Sequence, residues 1–203
     1  MIPQTIKSFI NKKTCDYIIS CIKEYNLFDD TGQVMIYINK EEKDNSISTG
    51  FDPEMFNLIE YLEKNQQKNT IIYDLLNLIA KNMCGVFDFK DSEVIYETMA
   101  FNLLTPDIID SDGIAKSVHY DNYGDNGIIY TAILYLDDNY EGGELILYDQ
   151  NIVDEAHSIP HKPETGQLFY FDGYTPHAVG HVTSGERSNL VLHMRSNKIW
   201  GID

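Results

Sequence analysis

The sequence predicts an α+β domain in which N-terminal helices support a β-rich C-terminal half. Apolar residues recur at helical spacing in three stretches before residue 87, the period shifts toward two from Val94 onward, and helix signals do not return. At 203 residues the chain suffices for one large domain with a proper core. The expectation is a single domain, 1–203, with helical support and first strands in 1–93 and a β core in 94–203.

The first helix is read from "NKKTCDYIISCIKEYNLF", where Tyr17, Ile18, Cys21, Ile22 and Tyr25 form an apolar stripe, with Asn11 or Thr14 as cap and Asp29-Asp30-Thr31-Gly32 as the terminating turn. "QVMIYIN" reads as a strand and "KEEKDNSISTGFD" as an exposed connection. Two further helices follow in "PEMFNLIEYLEKN" and "NTIIYDLLNLIAKNMCGVF", with Pro53 suited to a first turn and Gly85 near an end. "VIYETMAFNLL" opens the β half. Asn126-Gly127 is a hairpin signal ahead of "IIYTAILYL", which is apolar on both faces and so predicts a central strand covered on both sides. "YEGGE" makes a turn, and "ELILYD", "GQLFYFD" and "RSNLVLHM" supply more strands at close intervals, as in a sandwich, jelly roll or barrel.

A formal charge of −17 repels phosphate backbones and anionic membrane surfaces, which argues against a nucleic-acid partner. No apolar run approaches a membrane span, and "MIPQTIKSFINKKTCDYIIS" lacks the h-region of a signal peptide, so a cytoplasmic location is expected. Cys15, Cys21 and Cys84 form no C-x-x-C or Cys/His cluster and read as reduced structural thiols.

The chemistry centres on "SVHYDNYGDNG". His119 and Asp121 form an H-x-D pair that chance alone readily produces in a chain with six histidines and abundant Asp. Its position gives it weight: strand alternation places both side chains on one face at the end of an extended segment. Among His177, His181 and His193, His177 is the best third ligand, since it follows Pro176 at the start of a strand. Arg187 lies beyond a "TSGE" turn expected to return the next strand antiparallel beside that of His177. Two histidines and one carboxylate gripping one face of an ion leave three adjacent positions open, as in non-haem Fe(II) oxygenases.

From His119 to Met194 the chain resembles the Fe(II)- and 2-oxoglutarate-dependent dioxygenases of the prolyl hydroxylase type, through H-x-D, "YTAILYLDDNYEGGELILYD", "ETGQLFYF" and "PHAVGHVTSGER". The resemblance implies a double-stranded β-helix (jelly roll, cupin-like) core and a hydroxylase acting on a protein or peptide side chain. It implies Fe(II) held by His119, Asp121 and His177, and the distal carboxylate of 2-oxoglutarate held by Arg187 and by the Tyr135 hydroxyl, with Thr131 and Ile133 lining that pocket. O2 is then consumed, succinate and CO2 are released, and ascorbate serves as reductant. An alanine or glycine at Asp121 would open a position for halide, so the aspartate favours hydroxylation.

Peptidyl-proline is the first expectation for the substrate. Arg rather than Lys at 187 leans away from collagen-type prolyl 4-hydroxylases toward the prolyl 3-hydroxylase, oxygen-sensing and lysyl hydroxylase branches, which keeps peptidyl-lysine as an alternative. A noncatalytic jelly-roll binding module is the other. His193 departs from the family, whose members commonly carry tryptophan there; it is either a core or rim residue, or a pocket-lining residue or alternative metal ligand. His157 and His161 read as loop residues, and Gly180 weakens the return of His181 to the His177 face by inviting a bulge. Tyr120, Asn122 and Tyr123 are expected at the pocket entrance, Asn122 either touching a peptide backbone or bracing the turn. "TPDIIDSDGIAKS" is a solvated connection or a mobile substrate loop, and its Asp110-Ser111-Asp112-Gly113 lacks the remaining ligands of a calcium loop.

Overall fold

The computed structural model describes residues 3–25, 28, 31–37, 70–86, 94–122, 127–149 and 159–196. The predicted helix from Pro53, the connection from Lys40, and Tyr123, Asn126 and His157 lie outside the described residues. Helix α1 (Lys12–Tyr25) starts where expected, and Asn11 rather than Thr14 is its cap: the Thr14 amide donates to Asn11 Oδ1 at 3.0 Å. Its buried stripe is Cys15, Ile18, Cys21 and Ile22, whereas Tyr17, expected in that stripe, is exposed. Helix α2 (Thr70–Gly85) buries Ile72, Leu76, Ile79, Ala80 and Met83, again at three- and four-residue spacing. Burying each such aliphatic side chain contributes about 1.5–3 kcal/mol.

The strands are β1 (Gln4–Ile6), β2 (Gln33–Tyr37), β3 (Val94–Leu104), β4 (Lys116–His119), β5 (Ile128–Tyr135), β6 (Tyr140–Gly142), β7 (Leu145–Leu147), β8 (Ile159–His161), β9 (Leu168–Asp172), β10 (His177–Val179), β11 (Val182–Gly185) and β12 (Arg187–Ser196). They form a six-stranded sheet in the order β1-β9-β5-β12-β3-β2, a four-stranded sheet β4-β10-β7-β8 and a two-stranded ribbon β11-β6, with every pairing antiparallel. With the two helices, this is the expected α+β double-stranded β-helix. β5 is central and covered on both faces, because alternation splits its side chains between two cores. Ala132 and Leu134 join the helix-side core with Ile18, Leu76 and Leu190, while Ile133 and Tyr135 join the second core with Leu145, Phe171 and Val179.

One pairing differs from the expectation. β12 does not return beside β10; it crosses to the large sheet and pairs with β5 and β3. The "TSG" residues form part of β11, paired with β6, and Gly185 in the left-handed region (φ +79°) redirects the chain. Along β12, Leu190, Leu192 and Met194 face the helices, which turns Arg187, Asn189, Val191 and His193 toward the space between the sheets.

Candidate metal and cosubstrate site

His119 and His177 meet because β4 and β10 pair with these two residues directly opposite each other. Their rings lie 4.2 Å apart, centroid to centroid. Asp121 follows β4 at a bend rather than within the strand, and it still turns its carboxylate between them: His119 Nε2 is 3.7 Å from Oδ1 and His177 Nε2 is 3.5 Å from Oδ2. One ligand atom from each of the three lies within 4.8 Å of the others. Each imidazole is fixed through its other nitrogen: His119 Nδ1 contacts the Ser117 carbonyl at 2.7 Å and His177 Nδ1 the Thr175 carbonyl at 2.9 Å. A carbonyl only accepts, so Nδ1 carries the hydrogen and Nε2 presents its lone pair to the site, the tautomer a metal ligand requires.

The electrostatics fit a cation. Burial alone would raise the Asp121 carboxyl, but His193, His177 and the Thr131 hydroxyl outweigh it and hold the group well below the usual carboxylate range. Burial pushes His177 down to about 4 despite Asp121, so its ring is neutral at physiological pH. A neutral His177 imidazole and an ionised Asp121 carboxylate are the protonation states in which such donors bind a metal.

Two residues take positions that spacing did not specify. Thr131, expected beside the cosubstrate, lines the cavity next to the cluster, and its hydroxyl donates to Asp121 Oδ2 and thereby orients the carboxylate. His193 lies directly across the β5–β12 ladder from Thr131, with Nε2 3.5 Å from Asp121 Oδ1. It belongs to the pocket, and the three-residue cluster forms without it.

The same cavity, ≈ 150 Å³, runs between the sheets from this cluster to Arg187, past Ile133, Leu145, Val179 and Val191. Arg187 is 2% exposed, its guanidinium carbon lies 5.3 Å from the Tyr135 ring centroid, and among the described residues no carboxylate lies within ion-pair distance. Arg187 Nε and the hydroxyls of Tyr135 and Tyr140 are buried without a hydrogen bond of ordinary geometry, and both phenols face Arg187. Burial raises Tyr135 to about 12, so its hydroxyl remains a donor. A buried cation ringed by unused donors fits a carboxylate, which accepts through two oxygens. Tyr140 was not singled out in the sequence, where nothing distinguishes a tyrosine before a glycine pair from ordinary core.

The remaining candidates lie outside the three-residue cluster. His181 Nε2 contacts the Pro106 carbonyl at 3.0 Å, outside the cluster. His161 stacks on Phe169 with ring centroids 4.2 Å apart and contacts Gln167 at 2.9 Å. Asn122 braces its turn: its side chain donates to the Ile128 carbonyl and its amide to the Gly173 carbonyl. Tyr120 is exposed next to His119. Within 105–115, Asp110 Oδ1 accepts from the Asp112 and Ile114 amides, and Ser117 Oγ contacts both Asp110 and Asp112, so the segment is a closed turn.

Fold and site together define an antiparallel double-stranded β-helix with a His-Asp-His cluster at one end of an inter-sheet cavity and an unpaired guanidinium at the other. The family model of the 2OG-Fe(II) oxygenase superfamily matches residues 111–195, so over that segment the chain is similar to 2OG-Fe(II) oxygenases. Prolyl 3-hydroxylase 2 of Rattus norvegicus is 38% identical over 65 residues, which cover 31% of this chain and 9% of that protein, so the match spans under a tenth of the curated relative. In fold, the chain is similar to a prolyl hydroxylase from Trichoplax adhaerens in complex with a hypoxia inducible factor oxygen degradation domain peptide fragment (TM-score 0.56, 16% identity, 97% of this chain and 84% of that one). It is also similar to the viral collagen prolyl hydroxylase of Paramecium Bursaria Chlorella virus-1 (TM-score 0.55, 18% identity, 96% and 90%). Among the described residues no helix is long and apolar enough to cross a membrane.

Proposed function

We propose that the chain is an Fe(II)- and 2-oxoglutarate-dependent dioxygenase that hydroxylates a prolyl residue of a protein or peptide. The observation that carries this reading is the pairing, in one cavity, of the facial His119-Asp121-His177 cluster with the buried, unpaired guanidinium of Arg187. Bound Fe(II) supplies the redox chemistry that consumes O2 and 2-oxoglutarate, with ascorbate keeping the metal reduced. The protein's part is positional. His119, Asp121 and His177 hold the ion from one side and leave the opposite side for reactants. Arg187 and Tyr135 bind the distal carboxylate of the cosubstrate, which fixes the keto-acid end toward the ion. Ile133, Leu145, Val179 and Val191 wall the space between and exclude water.

The metal end is the accessible one: the His119 side chain is 28% exposed, whereas that of His177 is 6% exposed, so substrate approaches from the β4 side. A peptide as substrate is supported by the peptide fragment held by the structurally similar Trichoplax adhaerens protein, and proline by the name of the rat relative. The test is mass spectrometry of proline- and lysine-containing peptides incubated with protein, Fe(II), 2-oxoglutarate and ascorbate. Gain of one oxygen on proline, dependent on 2-oxoglutarate and abolished in a folded Asp121→Ala variant, is the expected result. Modification of lysine alone overturns the substrate assignment, and turnover that survives Asp121→Ala overturns the ligand assignment.

A further inference from the structure

We infer that Tyr140 is a second phenolic donor to the carboxylate bound at Arg187, making the distal end of the cosubstrate pocket a site of one guanidinium and two hydroxyls. This rests on the reading of the cavity as a 2-oxo dicarboxylate site. Tyr140 is 4% exposed, its hydroxyl makes no hydrogen bond of ordinary geometry, and the polar group it faces is the Arg187 guanidinium, so a phenylalanine there would cost the ligand-free fold little.

The backbone places that hydroxyl beside Arg187 by two close approaches. β6 pairs with β11 so that Tyr140 lies opposite Gly185, and a Cβ on Gly185 would fall 3.1 Å from the Tyr140 Cα. That contact anchors Tyr140 two positions before Arg187. Gly143, at φ +66°, lies between the two side chains: a Cβ there would be 3.0 Å from Arg187 Cδ and 3.3 Å from Tyr140 Cε2. The phenol ring and the arginine stem therefore flank one glycine. Burial raises the Tyr140 phenol, against the influence of Arg187, so at neutral pH it is protonated and donates.

Lone pairs account for the two phenols. A carboxylate offers about four acceptor sites, of which a guanidinium fork uses two. Tyr135 and Tyr140 supply the remaining two donors, one from the β5 wall and one from the β6 turn. Such a site rewards a terminal carboxylate and gives nothing to a keto acid that lacks one, so selectivity for the dicarboxylate depends on Tyr140.

The test is calorimetric titration of the Mn(II)-loaded protein with 2-oxoglutarate and with 2-oxobutyrate, for the wild type, Tyr140→Phe, Tyr135→Phe and the double variant. Tyr140→Phe is expected to weaken 2-oxoglutarate about tenfold, as for loss of one charge-assisted bond, while leaving 2-oxobutyrate and Mn(II) affinity unchanged. The melting temperature of its metal-free form should stay close to the wild type's. The double variant should lose about a hundredfold. Unchanged 2-oxoglutarate affinity in Tyr140→Phe, equal losses for both ligands, or a double variant no weaker than Tyr135→Phe overturns the inference while the cosubstrate reading stands. Failure of the wild type to bind 2-oxoglutarate overturns that reading and the inference with it.

Discussion

Thr131→Val removes one hydroxyl and preserves the shape of the side chain. Thr131 is 1% exposed and donates to Asp121, itself 9% exposed, so the lost bond is a buried, charge-assisted one. Such bonds contribute about 1.5–3 kcal/mol, and the valine methyl fills the vacated space without a large cavity. In the metal-free protein, where His193 and His177 still attract Asp121, urea denaturation should therefore show a loss of about 1.5–3 kcal/mol. The larger effect is on the metal. Removing a group that orients a ligating carboxylate typically weakens the ion about 10- to 100-fold, and anaerobic Fe(II) titration reads this directly. 2-Oxoglutarate affinity at saturating metal should stay within about twofold, a difference of roughly 0.4 kcal/mol, because the hydroxyl points at Asp121. The opposite split, with metal affinity intact and 2-oxoglutarate affinity lost, would refute the orienting role and return Thr131 to direct cosubstrate contact.

Arg187→Met replaces a buried cation that has no carboxylate within ion-pair distance among the described residues with an apolar chain of similar length. It should leave the melting temperature of the metal-free protein unchanged or raise it, while weakening 2-oxoglutarate at least about 100-fold, since a buried charged pair is worth about 3–5 kcal/mol when one partner is removed; calorimetry with and without ligand checks both halves. Burial raises the Cys15 thiol to about 11 and the Cys84 thiol to about 12, so each is neutral at pH 8 and its thiolate appears only as pH rises toward those values. Alkylation of half-buried Cys84, followed by peptide mass spectrometry, should accelerate about tenfold per pH unit between pH 8 and pH 10; a flat rate contradicts the burial effect.

What the sequence disclosed depends on how local each signal was. Helix α1, strand β5 and the start of β10 at His177 follow from spacing and turn residues within a few positions, and His119, Asp121 and His177 come together as that spacing anticipates. The partner of β12 is a nonlocal fact. Adjacency to β10 looked natural from a short intervening turn, but β11 and Gly185 intervene and deliver the strand to the other sheet. Alternation along "RSNLVLHM" marks the two faces correctly without saying that the polar one turns inward to line the cavity. The roles of Thr131 and His193 depend on cross-strand register, and Tyr140 has no sequence mark that separates it from core aromatics.

Strand β4 is four residues long and, among the described residues, pairs with β10 alone at the margin of its sheet. Because His119 and His177 face each other across that pairing, an ion gripped by both would act as a clasp over the sheet's edge. Occupancy of the centre would then be coupled to the integrity of the margin. Amide protons along 116–119 would exchange with solvent faster in the stripped protein than in the loaded one, while those of β5 and β12 in the middle of the large sheet would be nearly indifferent.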